Sequence, residues 1–355
     1  MKKIVSLLLL AGMIFTLAAC GAKTEAPAET PAEAPAETPA EAPVEEAPVA
    51  VEYTLGMGVE LSTASSENNA QVDATVAVVA LDAEGKIVAC RLDCAQSKMD
   101  ITGGAVDAAK AFQTKMELGD AYGMVAYGAA IAEWDAQAKA FEEYVVGMTG
   151  TEVAALELQE HNGHQISVDE ALLAGCTMDI TDFMKAIEKA CSDKWAVKFS
   201  TADAFTLGTA AITEATDSVA ATAEANGSVN MYSYFGAAAV GADGKILAAL
   251  NDATQPKITI DVNGAIVEAV FNGTKRELGE NYNMVKFGNA IAEWDAQSAA
   301  FSQFVTGMTA TELSGMETKE HNGHQVTVDE TLWASCTMDI TTMRDVIAQA
   351  ANYAR

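Results

Sequence analysis

Histidine is nearly absent from this chain. Only four occur in 355 residues. They are His161, His164, His321 and His324, all within two copies of the hexapeptide EHNGHQ, Glu160–Gln165 and Glu320–Gln325. Basic charge is scarce too: 21 Lys and Arg stand against 50 Asp and Glu, a formal net charge of −29. That balance excludes nucleic-acid binding, which needs clustered cations to neutralise phosphates. It also argues against lying flat on an anionic membrane, and is itself enough to keep an exported chain soluble. No second long apolar stretch follows the one at the N-terminus, so no further membrane span is expected. Proline is confined: six of the seven precede residue 51. Past residue 20 there are five cysteines, and an odd number cannot pair completely within the chain. Cys90 and Cys94 stand four apart on an expected strand, so their Cα atoms would be about 13 Å apart. A disulfide needs about 7 Å or less. Both are therefore read as buried free thiols. There is no P-loop and no dinucleotide fingerprint, and no nucleophile–base dyad can be argued from spacing.

What is present begins with MKKIVSLLLLAGMIFTLAAC. Lys2 and Lys3 form a basic start, and Ile4 to Leu17 is an apolar run too short to span a bilayer comfortably. The ending Leu17-Ala18-Ala19-Cys20 resembles the bacterial lipoprotein box. That resemblance implies a signal peptide over 1–19 and a lipid on the thiol of Cys20. Residues 21–50 repeat Ala-Pro with Glu. Such a segment has little apolar surface to bury, so 20–51 is expected to be a disordered, extended tether. At roughly 3.1 Å per residue it would reach up to about 90 Å.

The rest is a duplication. Residues near 53–193 recur near 205–350 at an offset of 159 to 160. TKMELGDAYGMVAYGAAIAEWDAQ (Thr114–Gln137) matches TKRELGENYNMVKFGNAIAEWDAQ (Thr274–Gln297). EHNGHQISVDEALLAGCTMDIT (Glu160–Thr181) matches EHNGHQVTVDETLWASCTMDIT (Glu320–Thr341). A period this long means two tandem α+β domains, 52–198 and 199–355. Each reads as an antiparallel sheet with one long helix and a C-terminal helix. Tyr53–Ser62 and Phe205–Thr213 look like opening strands. Ala74–Gln96 reads as a hairpin turned at Asp82-Ala83-Glu84-Gly85. On its second strand Val88, Cys90, Leu92 and Cys94 form the expected core face. A further hairpin is expected at Gly103-Gly104 and at Asn263-Gly264. The apolar stripe Ile131, Trp134, Ala138, Phe141 and Val145 predicts a helix over 129–146, repeated by Ile291, Trp294, Phe301 and Val305. The tryptophans thus read as core. Thr149-x-x-Glu152 and Thr309-x-x-Glu312 are capping boxes opening short helices. Asn-Gly in the histidine hexapeptide marks a tight turn. Leu173–Ile180 reads as a strand, and Thr181–Ser192 as the closing helix.

A strand–turn–strand hairpin early, with Glu84-Gly85-Lys86-Ile87 and Asp243-Gly244-Lys245-Ile246 at its turns, precedes helical segments. A small-residue stretch ending in threonine then leads into the last helix. This order resembles the FMN-binding domain family, which includes surface lipoproteins of Gram-positive bacteria, some with tandem copies. The tandem core also looks like a group of duplicated lipoproteins of gut Firmicutes. In the FMN-binding family a motif of the type D-x-x-S-G-A-T presents a threonine that carries FMN through a phosphoester. The resemblance maps it onto Gly175-Cys176-Thr177 and Ser335-Cys336-Thr337. Here cysteine stands in place of alanine, and the acidic residues Asp169 and Asp329 lie six residues before Gly175 and Ser335. Thr177 and Thr337 are then the candidate flavin anchors.

The histidines suggest a second chemistry. Zinc or another divalent metal takes imidazole nitrogens within a set of three or four ligands. Each turn supplies two, and Glu160, Asp169 or Cys176 could add to the first pair. Three readings follow. One is a flavin-linked electron carrier at the cell surface, with a redox partner there. Another is a metal- or solute-binding lipoprotein using His161, His164, His321 and His324. The last is a structural lipoprotein. A non-enzymatic protein on the outer face of a membrane is common to all three.

Overall fold

The computed structural model describes residues 49–355; the signal segment, Cys20 and most of the tether lie outside the described residues. The first repeat opens with β1 (Val51–Ser62), β2 (Asn69–Leu81) and β3 (Ile87–Asp100). Next come α1 (Lys115–Leu118), α2 (Met124–Gly128), α3 (Trp134–Tyr144) and α4 (Gly150–Ala154). The hairpin β4 (Leu158–His161) and β5 (His164–Ser167), α5 (Glu170–Leu173) and α6 (Thr181–Cys191) complete it. The strand β6 (Val197–Thr201) leads into the second repeat: β7 (Phe205–Glu214), β8 (Gly227–Asn230), β9 (Tyr232–Gly241), β10 (Ile246–Thr254), β11 (Lys257–Ile260) and β12 (Ile266–Val270). Then follow α7 (Lys275–Leu278), α8 (Met284–Gly288), α9 (Trp294–Phe304), α10 (Ala310–Ser314), β13 (Thr318–His321), β14 (His324–Thr327), α11 (Glu330–Trp333) and α12 (Thr341–Asn352). The fold is mixed α+β with several small antiparallel sheets.

Strand order is β3-β2-β1-β6 in one sheet and β10-β9-β7 in another. The segment ATVAVVAL (Ala74–Leu81) explains how they stack. Ala77, Val79 and Leu81 join a core with Trp134 and Phe141 of α3 and Phe183 and Ile187 of α6. Ala74, Val76, Val78 and Ala80 point the other way, into a core shared with Leu207, Phe235, Ala237 and Leu250 of the second repeat. A strand buried on both faces reads as a continuous apolar run. The second sheet is covered in turn by α9 and α12 through Trp294, Phe301, Val346 and Ile347. The order of layers is helices, sheet, sheet, helices, and residues 49–355 belong to one compact unit.

Small residues let the helices come close. A Cβ on Gly56 of β1 would collide with the carbonyl oxygen of Ala190 in α6, and one on Gly208 of β7 with that of Ala350 in α12.

Several expectations need correction. The long helix over 129–146 is only α3, Trp134–Tyr144. Ala129 adopts a left-handed φ of 52° that closes α2, and the carboxylate of Glu133 accepts from the backbone N–H groups of Met124 and Val125. Ile131 and Ile291, placed in the apolar stripe, are therefore 55% exposed. The segment Leu173–Ile180 is no strand. Asp169 caps α5, and the Leu172 carbonyl accepts from both Gly175 and Cys176, curling the chain into a helical turn and loop. Gly103-Gly104 sits in a single 3-10 turn with no hairpin after it, whereas Asn263-Gly264 does turn β11 into β12. On β3, Cys90, Leu92 and Cys94 face the helices as expected, but a bulge opposite Ala80 and Leu81 puts Ile87 with them and turns Val88 toward the other sheet.

Candidate functional site

The histidine hexapeptides are hairpin tips. His161 pairs with His164 across β4 and β5, and His321 with His324 across β13 and β14. Asn162 and Gly163 lie between them at φ of 53° and 84°, the positive angles a two-residue primed turn requires. Glu160 folds over its own turn, its carboxylate accepting from the Gly163 N–H at 2.6 Å, as Glu320 does for Gly323. Asp169 caps α5 and accepts the hydroxyl of Tyr144 at 2.8 Å, which holds it below the usual carboxylate range. Cys176 is buried, and burial pushes its thiol up. Asp169 and Cys176 are thus engaged elsewhere, while Glu160 stays at the histidine turn. Among the described residues no group of three or more His, Cys, Asp or Glu side chains stands ready to hold a metal.

Each hairpin is tied to the threonine loop. Asp179 accepts from the Gln165 N–H at 2.8 Å, and the Ile180 N–H donates to the Gln165 carbonyl at 3.1 Å. Asp339, Ile340 and Gln325 repeat this. The loop is also fixed from below. Gln137 is fully buried, and its Oε1 accepts from the Thr177 N–H at 2.9 Å, with the hydroxyl at 3.4 Å. Gln297 holds Thr337 at the same two distances. Cys176 and Cys336 point into their cores, and Cys336 is pushed up to about 11 by burial. All five described cysteines are free.

In the second repeat these parts meet in a cleft of about 580 Å³. His321, His324, Thr337 and Gln297 line it, with Tyr232, Tyr234, Tyr282, Trp294 and Trp333. The His321 ring stands edge-on to Trp333 with centroids 5.2 Å apart. Tyr232 and Tyr234 are stacked at 4.7 Å. Lys275 lies at the floor, 5% exposed, with its ammonium near the rings of Tyr232, Tyr282 and Trp294 and donating to the Tyr232 hydroxyl. Trp294 is core on one side and cleft wall on the other.

The corresponding place in the first repeat is a cleft of about 500 Å³ lined by Gln71, Asp73, Thr75, Gln96, Lys115, Trp134 and Asp179. The repeat offset sets Asp73 against Tyr232, Thr75 against Tyr234, and Cys94 against Ala253. Thr177 and the first histidine pair do not line this cleft.

Lys115, Lys275 and the tyrosines were not singled out from the sequence. Thr114-Lys115 and Thr274-Lys275 stand inside the best-matched repeat segment, which is the signal that could have found them. No protein-family model, no curated protein and no solved structure matches this chain.

Proposed function

We propose that this chain is a lipoprotein anchored through Cys20 on the outer face of a membrane, with two tandem FMN-binding-like domains. In this reading its second domain binds a flavin-class ligand in electron transfer at the surface. The observation that carries the reading is the cleft of the second repeat. It brings the histidine hairpin, Thr337 and five aromatic side chains to one concave surface. Its size falls in the range of small-molecule sites, roughly 300–1,000 Å³, and such sites are lined mostly by apolar and aromatic groups with a few polar ones. Aromatic walls suit a planar ring system. Thr337 is half-buried at the cleft wall, where a phosphoester could form on its hydroxyl. Bound FMN would supply reversible one- and two-electron transfer. The chain's own part would be to stack the ring with Tyr and Trp side chains and to exclude water. The first repeat keeps Trp134 but has Asp73, Thr75 and Leu173 where the second has Tyr232, Tyr234 and Trp333, and Thr177 does not line its cleft, so one flavin per chain is expected.

The test is an absorbance spectrum and intact mass of protein exported from a Gram-positive host. Flavin absorbance with a mass gain of one FMN less water, lost in Thr337→Ala, supports the reading. Colourless protein of unmodified mass that takes up no added FMN sinks it. A second reading, a divalent metal at the histidine turns, rests on the cross-strand pairing of His161 with His164 and of His321 with His324. Zinc titration by calorimetry against a variant with all four replaced by alanine decides it: heat in the parent alone supports it.

A further inference from the structure

The two lysines at the floors of the clefts occupy equivalent positions and have different company. Lys115 shares its cleft with Asp73. Burial pulls the Lys115 amine down, but Cys94, Tyr122 and Asp73 more than offset that and hold it above its ordinary value. Asp73 is the carboxylate among them. One of its oxygens accepts from Gln71 at 2.6 Å, while the other is buried with no hydrogen-bond partner. In the second repeat Tyr232 replaces this aspartate. Among the described residues neither lysine is in an ion pair; the difference is that Asp73 raises the Lys115 amine from a distance, and no carboxylate at that position does so for Lys275. The carboxylate that raises the Lys275 amine is Asp252, whose Oδ1 accepts from the N–H groups of Ala253 and Arg276. A cation in low dielectric without an opposite charge is costly, and an anion supplied from outside would remove that cost.

We propose that the cleft of the second repeat binds an aromatic anion, whose negative group becomes the counter-ion that Lys275 lacks. This rests on the cleft being a ligand site, as argued above, and adds the charge of the ligand. The rings of Tyr232, Tyr282 and Trp294 take the aromatic part, and Lys275 at the floor takes the anionic end. Burial lowers the Lys275 amine to about 7, with Asp252 opposing. An anion beside it favours the ammonium, so binding should draw in a proton. The other titratable groups facing the cleft are Tyr232, Tyr234 and Tyr282, all pushed up by burial, and Asp339, His321 and His324.

The test uses 2-naphthoate and its uncharged analogue 2-naphthamide, titrated by calorimetry into the whole chain. At about pH 7 the acid should bind roughly tenfold or more tighter than the amide, the worth of a charge-assisted contact. Between about pH 7 and pH 9 acid affinity should fall by up to roughly tenfold per pH unit, because the free amine loses its proton before the bound one. Tyr232→Asp, which sets a carboxylate where the first repeat has Asp73, should bring acid and amide within about twofold, as should Lys275→Met. Equal binding of acid and amide by the parent overturns the counter-ion role and leaves the cleft reading standing. An acid preference that survives in both Tyr232→Asp and Lys275→Met also overturns the role. No binding of either compound up to millimolar concentration overturns both.

Discussion

The two repeats reach the same architecture with different cores at the joins, and the difference shows where the fold is tolerant. In the first, β2 and β3 run unbroken to Asn69 and Asp100. In the second, the matching strands are cut into two sheets, β9 with β10 and β8 with β11. Pro256 stands at the break between β10 and β11; with no N–H to donate, it cannot continue the ladder. The far ends still meet in one core, where Met99 and Ile101 pack with Val229, Ile258 and Ile260. The helix contacts diverge as well. Glu142 of α3 is buried and bound by Arg91 and Arg355. At the matching position Ser302 accepts from Asn251, which in turn accepts from Ser298. A charged cluster and a neutral network thus fill the same place.

The largest expected effect lies where the repeats differ most. Arg276 of α7 grips Asp193 beyond α6 with two contacts of 2.9 and 3.0 Å, and both side chains are 4% exposed. At the opposite join the matching residues are Met116 of the first repeat and Tyr353 of the second, which line one hollow with Arg91, Glu117 and Arg355. Arg276→Ala should cost about 3–5 kcal/mol, because it leaves Asp193 buried without its partner. The double change Arg276→Met with Asp193→Tyr copies the opposite join and should recover most of that loss. Chemical denaturation of the three proteins checks it. If the double variant is no better than the single one, the two joins are not interchangeable.

Next come the glycines, where the repeats agree. Gly56→Ala and Gly208→Ala should each cost about 1–3 kcal/mol, since the added methyl meets helix backbone and not a side chain that can turn away. Thermal unfolding of both variants would show it. A cost at only one site would mean that one helix can lift from its sheet.

Asp93 and Asp252 sit at matching places in β3 and β10, and burial raises both to about 6. A carboxyl whose folded value lies above its unfolded one favours the folded state in acid. That contribution is lost as pH rises from about 4 through 6. Asp93→Asn and Asp252→Asn should therefore leave stability little changed near pH 4 and raise it by about 2 kcal/mol by pH 7. Both values are about 6, the Asp252 one with the lowering by Arg276 already in it, so the two gains should be similar. Denaturation midpoints across that range test both sign and size.

How much of this was readable follows from how local each feature is. The Asp82–Gly85 turn, the capping boxes and the Asn-Gly tips depend on four or five consecutive residues, and they are where the sequence put them. The helix start failed because Ala129 carries no sign of its left-handed backbone. Its copy Asn289, at φ 51°, does carry one, so reading the repeats against each other would have split the helix correctly. The run Ala74–Leu81 announced burial but not that the second face meets the other repeat. The cleft was illegible. Its walls come from β9, α7, α9 and the β13–β14 hairpin, and nothing in a linear pattern brings Tyr232 to Lys275.

The smallest effect tests equivalence itself. Thr149 and Thr309 each open a short helix with a complete capping box, the hydroxyl accepting from Glu152 or Glu312 and the glutamate accepting in return. Both also bridge to the hairpin turn before them, at Lys86 and Lys245. The caps are nearly identical in geometry, at 3.3 and 3.2 Å from the N3 amide. Replacement by alanine should cost about 1 kcal/mol at either site. The two lie in different repeats with no shared partner, so the double variant should lose about 2 kcal/mol, the plain sum. A loss well above the sum would mean that loosening one helix layer weakens the other. The route would be the shared core of Val76, Val78, Phe235 and Leu250, through which each repeat supports its copy.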